Sequence, residues 1–207
     1  SDGGGSVRIP ASLCGLVGFK ASMGRVPLYP GCRDERYPGV SSWETLEHIG
    51  PITRTVADAA LLMSVLAGPD ARDRHSLPSG DVDWREIIDV GAPDNLVGKR
   101  IAYSPDLGYM PVDSQVRDVV AGAVAVFAEL GATVVEVDPE LDDSRPYVWS
   151  LVMADTDLTG MRRMVGEYGD RMSPHLVELI QRPWTAEEFT DAQMVRKRVV
   201  NQMWRFM

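Results

Sequence analysis

The stretch from Gly98 to Asp138 constrains this chain most. "GKRIAYSP" reads as a strand, Asp113 caps a helix running from Ser114 to Leu130, Gly131 stops it, and "ATVVEVD" is a second, β-branched strand. A helix-length crossover between two strands brings them side by side and parallel, which a tight hairpin cannot do. The fold class expected is therefore α/β. With 207 residues, 44% hydrophobic and 25% charged, the chain has enough apolar side chains to bury a core.

Other segments are read from their punctuation. Residues 1–28 alternate glycine turns with short apolar runs (Leu16 to Phe19, Val26 to Leu28), a pattern that predicts strands and tight connections. In "TRTVADAALLMSVLAGPD", Thr55 and Asp58 form a capping box, apolar residues continue to Leu66, Gly68 is the stop and Pro69 follows. Residues 29–50 and 69–97 read as loops. Beyond residue 140 the pattern is helical, with a start at Ser173–Pro174 and another at the Thr185–Glu188 capping box, from which Val195, Val199, Met203 and Met207 recur on one helical face. No Gly, Asn or Pro closes that last helix, and no initiator Met opens the chain. Both ends are expected to be truncated, with residues 1–207 the central part of a single domain.

The net charge of −9 and the lack of a basic face argue against a nucleic-acid partner. The one basic cluster, Arg196 to Arg198, falls within a helix and reads as its solvated side. No apolar run is long enough to cross a bilayer. Cys14, read as a small buried hydrophobe, and Cys32 are too few for a disulfide scaffold and fit a reducing compartment, which predicts a cytoplasmic protein. His48, His75 and His175 lack the partners of a Ser-His-Asp relay and read as surface or capping residues. Neither cysteine has a histidine at zinc-ligand spacing. Trp149, Trp184, Trp204, Phe206 and the methionines around 153–172 could line an acyl pocket, but their helical spacing reads more simply as core.

The remaining feature is "SDGGGSVRIP" at the N-terminus. A Gly/Ser linker stays polar beyond its glycines, whereas Ser6 is followed at once by Val7, Arg8, Ile9 and Pro10. Acyl transfer through serine needs a hydroxyl, a base, and hydrogen-bond donors where charge develops on the carbonyl oxygen. Consecutive glycines let several N–H groups point into one concavity. Gly3, Gly4, Gly5 and Ser6 could thus supply donors and nucleophile from one turn, with Asp2 and Arg8 as a buried pair pinning it. A plain loop remains the alternative, because the P-loop, dinucleotide and nucleophile-elbow patterns are all unmet.

The longer run "SDGGGSVRIPASLCGLVGFKASMGRVP" closely resembles the signature segment of the amidase signature family, G-[ST]-D-x-G-G-S-[IV]-R-x-P-A followed by C-G, G-[LF]-K and G-R-V. "GPITRTVADAALLMSVLAGPDARD" and "GKRIAYSPDLGYMPVDSQVRDVV" resemble the family's next two segments. The likeness covers most of residues 1–140 and fades beyond. It implies a mixed sheet flanked by helices, Ser6 as the acyl-forming nucleophile, and the backbone amides of Gly3, Gly4, Gly5 and Ser6 as the oxyanion hole. Gly3 departs from the commoner Thr, and Ala21 from the common Pro.

The family's other two catalytic residues, a Lys base and a serine in cis-peptide conformation, belong to a segment upstream of the signature. The lysines here are Lys20, Lys99 and Lys197, and Lys20 matches the signature's own lysine. The resemblance thus implies hydrolysis of a small-molecule carboxylic amide to acid and ammonia or amine through a Ser-cisSer-Lys relay, needing no cofactor or metal, and predicts no turnover by these 207 residues alone. A homo-oligomer is compatible with this reading. The alternatives are the A-type component of a glutamyl-tRNA amidotransferase, where Gln would be expected in place of Ile9, and an inactive scaffold that keeps the fold.

Overall fold

In a computed structural model of the chain, described for residues 1–28, 45–78, 80, 82–89 and 96–207, the strand-helix-strand segment forms as its pattern predicts. Strands β3 (Arg100–Tyr103) and β4 (Thr133–Glu136) pair in parallel, Arg100 opposite Thr133 and Tyr103 opposite Glu136. Helix α4 (Ser114–Glu129) joins them, and the Asp113 carboxylate accepts the Gln115 N–H at 2.8 Å. Gly131, at φ +94°, turns the chain out of the helix, a conformation that glycine adopts without a Cβ clash.

These elements belong to one of two compact units, residues 90–148 with 186–207. Its other helix is α8 (Ala186–Phe206). Of the expected apolar face, Val195 is buried but Met203 and Met207 are exposed. Trp204 is exposed too, so it is not the core residue its spacing suggested. The basic cluster is only partly a free solvated face. Arg198 Nε donates to Asp142 at 2.7 Å and Gln202 Nε2 donates to its other oxygen at 2.8 Å, while the Asp142 N–H returns a bond to Gln202. The Gln202 and Arg198 donors hold that carboxyl below its usual range.

The second unit comprises residues 1–89 and 149–185. It contains α1 (Arg8–Cys14), β1 (Val17–Gly18), β2 (Ile52–Thr53), α2 (Val56–Leu66), α3 (Glu86–Asp89), most of α5 (Val148–Asp155), α6 (Leu158–Tyr168) and α7 (Pro174–Gln181). Strands β1 and β2 pair antiparallel. Both strand senses of the expected mixed sheet are therefore present, two strands at a time. Helix α2 starts where the capping box puts it, with Thr55 Oγ1 accepting the Asp58 N–H at 3.0 Å. It ends through Ala67 in an extended conformation, and Gly68 then donates to the Arg25 carbonyl. Met63 of α2 packs with Ala21 and Val26, against Ile49, Ala67 and Trp84. Phe19 meets the Trp84 ring edge-on at 6.1 Å.

Several readings are corrected in this unit. Residues 8–14 are helical rather than strand or turn. Pro10 lies in the first turn, where no N–H is needed, and Gly15 at φ +65° ends the helix. With Ala11 its one buried residue, α1 has no apolar period to betray it. Cys14 is exposed on that helix, and Cys32 lies outside the described residues. Trp149 is 58% exposed, and the expected loop at 69–97 contains α3. The starts at Ser173 and Thr185 correspond to α7 and α8. The described part of the 29–50 segment, residues 45–50, is half-buried.

Candidate active site

The turn from Asp2 to Arg8 is organised by one carboxylate. Asp2 is 1% exposed; its Oδ1 accepts the Gly5 N–H at 2.6 Å, and its Oδ2 accepts those of Val7 at 3.2 Å and Arg8 at 3.4 Å. The Arg8 guanidinium adds two parallel bonds, Nε to Oδ2 and Nη2 to Oδ1, both 3.0 Å. Arg8, with the Gly5, Val7 and Arg8 amides, outweighs burial and holds the Asp2 carboxyl far below the usual carboxylate range. The pair is buried on one side only, since the Arg8 side chain is 54% exposed. Asp2 also serves α1 as a cap from outside the helix, taking N–H groups that Val7, with no side-chain oxygen, cannot satisfy.

Gly5 is the hinge of the turn. Its φ is +113°, and a Cβ there would stand 2.6 Å from Ile9 Cδ1 and 2.9 Å from Cγ1. Its carbonyl accepts the Ile9 N–H at 2.7 Å. Only glycine fits this combination of dihedral angle and close apolar cover. Gly5 was expected to donate to an oxyanion, yet its N–H already points at Asp2. Among the described residues, the N–H groups of Gly3, Gly4 and Ser6 have no protein partner, and Ser6 and Gly4 are exposed.

One contact was invisible in the sequence. Asp2 and His48 form an isolated antiparallel bridge, with Asp2 N–H to the His48 carbonyl at 2.7 Å and His48 N–H to the Asp2 carbonyl at 3.0 Å. His48 is half-buried, and its Nδ1 lies 2.9 Å from the Leu46 carbonyl. It acts on the turn through its backbone, a role that no side-chain pattern signals. His75 is half-buried as well, whereas His175 is exposed on α7.

A broad concavity lies elsewhere on this unit. It is a groove of about 1150 Å³ along α7, lined by Trp149, Met172, His175, Leu176, Leu179 and Arg182 among others, and it shares no lining residue with the turn. Lys20 is half-buried and its Nζ donates to the Ala21 carbonyl at 3.4 Å. Among the described residues no cluster of His, Cys, Asp and Glu is arranged to hold a metal ion, and no helix is long and apolar enough to cross a membrane.

Comparison with known proteins places the chain in a family. A model of the amidase family matches residues 1–201. An acylamidase from Rhodococcus erythropolis is 34% identical over 201 residues, covering 95% of this chain and 38% of its own. The A-type subunit of a glutamyl-tRNA(Gln) amidotransferase from Desulforudis audaxviator is 36% identical over 172 residues, covering 83% of this chain and 32% of its own. The crystal structure of a bacterial aryl acylamidase of the amidase signature family superposes with a TM-score of 0.80 at 31% identity, over 98% of this chain and 41% of that one. The chain belongs to the amidase family. It spans about two fifths of the length of the relatives it matches.

Proposed function

We propose that Ser6 is the nucleophile of a hydrolase that cleaves carboxylic amides through an acyl-enzyme, the turn serving as its oxyanion hole. The observation that carries this reading is the division of labour among the turn's amides. Gly5, Val7 and Arg8 anchor it on Asp2, which leaves Gly3, Gly4 and Ser6 as candidate donors beside an exposed hydroxyl. Such donors help most when they are held fixed before charge develops, because no reorganisation is then needed during reaction. Anchoring of the Gly5, Val7 and Arg8 amides on Asp2 supplies that fixity.

In the proposed reaction Ser6 Oγ adds to the amide carbonyl as its proton passes to a base. The resulting oxyanion is held by the free amides, the carbon–nitrogen bond breaks as the leaving nitrogen takes up a proton, and water then releases the acid. The family resemblance supplies the base as a lysine acting through a second serine. Neither Lys20, Lys99 nor Lys197 matches that lysine, so these 207 residues alone are expected to be inactive. An acylated amine is the first substrate to test, following the named relatives.

The amidotransferase reading has the support of the relatives that carry that name. The acidic balance of the chain and Ile9, where Gln was expected for that branch, weigh against it. Glutaminase activity that appears only with a partner protein would favour it over simple hydrolysis. A fluorophosphonate probe on the gene's full product tests the nucleophile directly: labelling is expected at Ser6, and Ser6→Ala should lower amide turnover by at least about a thousandfold. An unlabelled protein would favour the inactive scaffold, and Ser6→Ala turnover equal to wild type would reassign the nucleophile.

A further inference from the structure

We propose that Asp155 is a positioning residue for the Ser6 turn, acting through Thr45 and the backbone of His48. The Asp155 side chain, at the C-terminal end of α5, accepts the Thr45 N–H on Oδ2 and the Thr45 hydroxyl on Oδ1, each at 2.7 Å, across 110 residues of sequence. Three residues on, His48 makes the two backbone bonds to Asp2, and its ring nitrogen meets the Leu46 carbonyl between these anchors. Asp2 in turn holds the amides of Gly5, Val7 and Arg8. A continuous series of contacts therefore runs from α5 to the turn, and every member of it lies within one compact unit.

The physical need for such an anchor follows from the bridge itself. Two backbone bonds in an isolated bridge offset little of the entropy lost in ordering the loop that carries His48. Two short bonds, one to each oxygen of a carboxylate at the end of a helix, are geometrically specific. They fix the loop where the bridge needs it. Displacing a nucleophile or its donors by about 1 Å lowers turnover on the order of a hundredfold, so slack at Thr45 reaches Ser6 as lost rate more than as lost substrate binding.

This inference rests on the Ser6 assignment for its kinetic consequence but not for its structural one, and the test reads both. In the gene's full product, Asp155→Ala is expected to lower kcat and the fluorophosphonate labelling rate by about tenfold or more, up to the roughly hundredfold of a 1 Å displacement, with KM within about twofold of wild type. Amide hydrogen exchange at Asp2 and His48 should accelerate in the same variant. Thr45→Val, which removes only the hydroxyl donor, should show the same pattern weakly and stands in if Asp155→Ala does not fold. Asp155→Asn, which keeps an acceptor oxygen, should recover part of the rate. Unchanged exchange at Asp2 and His48 in both Asp155→Ala and Thr45→Val would overturn the proposal whatever Ser6 does. Faster exchange without Ser6 labelling in wild type would leave the anchor standing and remove the nucleophile assignment.

Discussion

Gly5 donates its N–H to the Asp2 carboxylate at 2.6 Å, so the residue that lets the turn bend also ties it down. The bond explains why a run of three glycines is not slack here. The chain bends at Gly5, where φ is +113°, and the bend is closed from one side by a buried carboxylate and from another by the Ile9 side chain. What would be the most mobile part of a Gly/Ser linker becomes a fixed platform for Ser6.

Asp2 should make stability pH-dependent in one direction. Its carboxyl titrates lower in the folded state than the roughly 3.9 of an unfolded Asp. The stabilisation is therefore complete above about pH 4 and is lost as pH falls below it. Asp2→Ala is expected to cost about 1–3 kcal/mol at neutral pH, since it leaves the Gly5 and Val7 amides without an acceptor. Chemical denaturation from neutral to strongly acid pH checks this: the stability difference between wild type and variant should shrink only under acid conditions.

Arg8→Lys should act through geometry more than charge. A single ammonium cannot reproduce the parallel bonds from Nε and Nη2 to the two Asp2 oxygens. Because Arg8 is more than half exposed, the loss at neutral pH should stay under about 1 kcal/mol. The acid limb of the unfolding curve is expected to move to higher pH, as the carboxyl regains part of its ordinary affinity for protons. Circular dichroism followed through an acid titration decides this, and superimposable curves would show that the second bond contributes nothing.

The sequence reveals this site where its parts are neighbours and hides it where they are not. Asp2, the glycines, Ser6 and Arg8 stand in one short run, so their chemistry can be read as one motif. Asp113 and Thr55 also announce their helices, because a cap is local to the helix it starts. The His48 bridge and the Thr45 bond to Asp155 join segments distant along the chain through backbone groups and a common acid, and neither leaves a periodic or compositional trace. Helix α1 escaped for a related reason: its cap is Asp2, several residues upstream of the usual position, and its exposed Leu13 and Cys14 give no amphipathic stripe.

Met63 should be the most sensitive apolar position of α2. It is 1% exposed and packed with Ala21 and Val26, so Met63→Ala is expected to cost about 2–5 kcal/mol by removing contacts and leaving a cavity. Leu13→Ala, at an 83% exposed position on α1, should change stability by no more than about 0.5 kcal/mol. Urea denaturation of the two variants compares them directly. A Met63→Ala protein as stable as the Leu13→Ala protein would mean that this cluster is not the core of its unit.

Gly5→Ala combines two penalties that can be separated. The first is the dihedral angle: a φ of +113° is costly for any residue with a Cβ, about 1–3 kcal/mol. The second is steric, since the new methyl would fall 2.6 Å from Ile9 Cδ1. Ile9→Ala removes the second penalty and leaves the first. A double-mutant cycle should therefore show favourable coupling, with Gly5→Ala costing less in the Ile9→Ala background than in wild type, yet still costing something. Fluorophosphonate labelling of Ser6 should slow in Gly5→Ala and recover only in part in the double variant, because the backbone strain acts on the turn itself. Zero coupling in the denaturation cycle would show that the Ile9 side chain moves aside freely and takes no part in closing the turn.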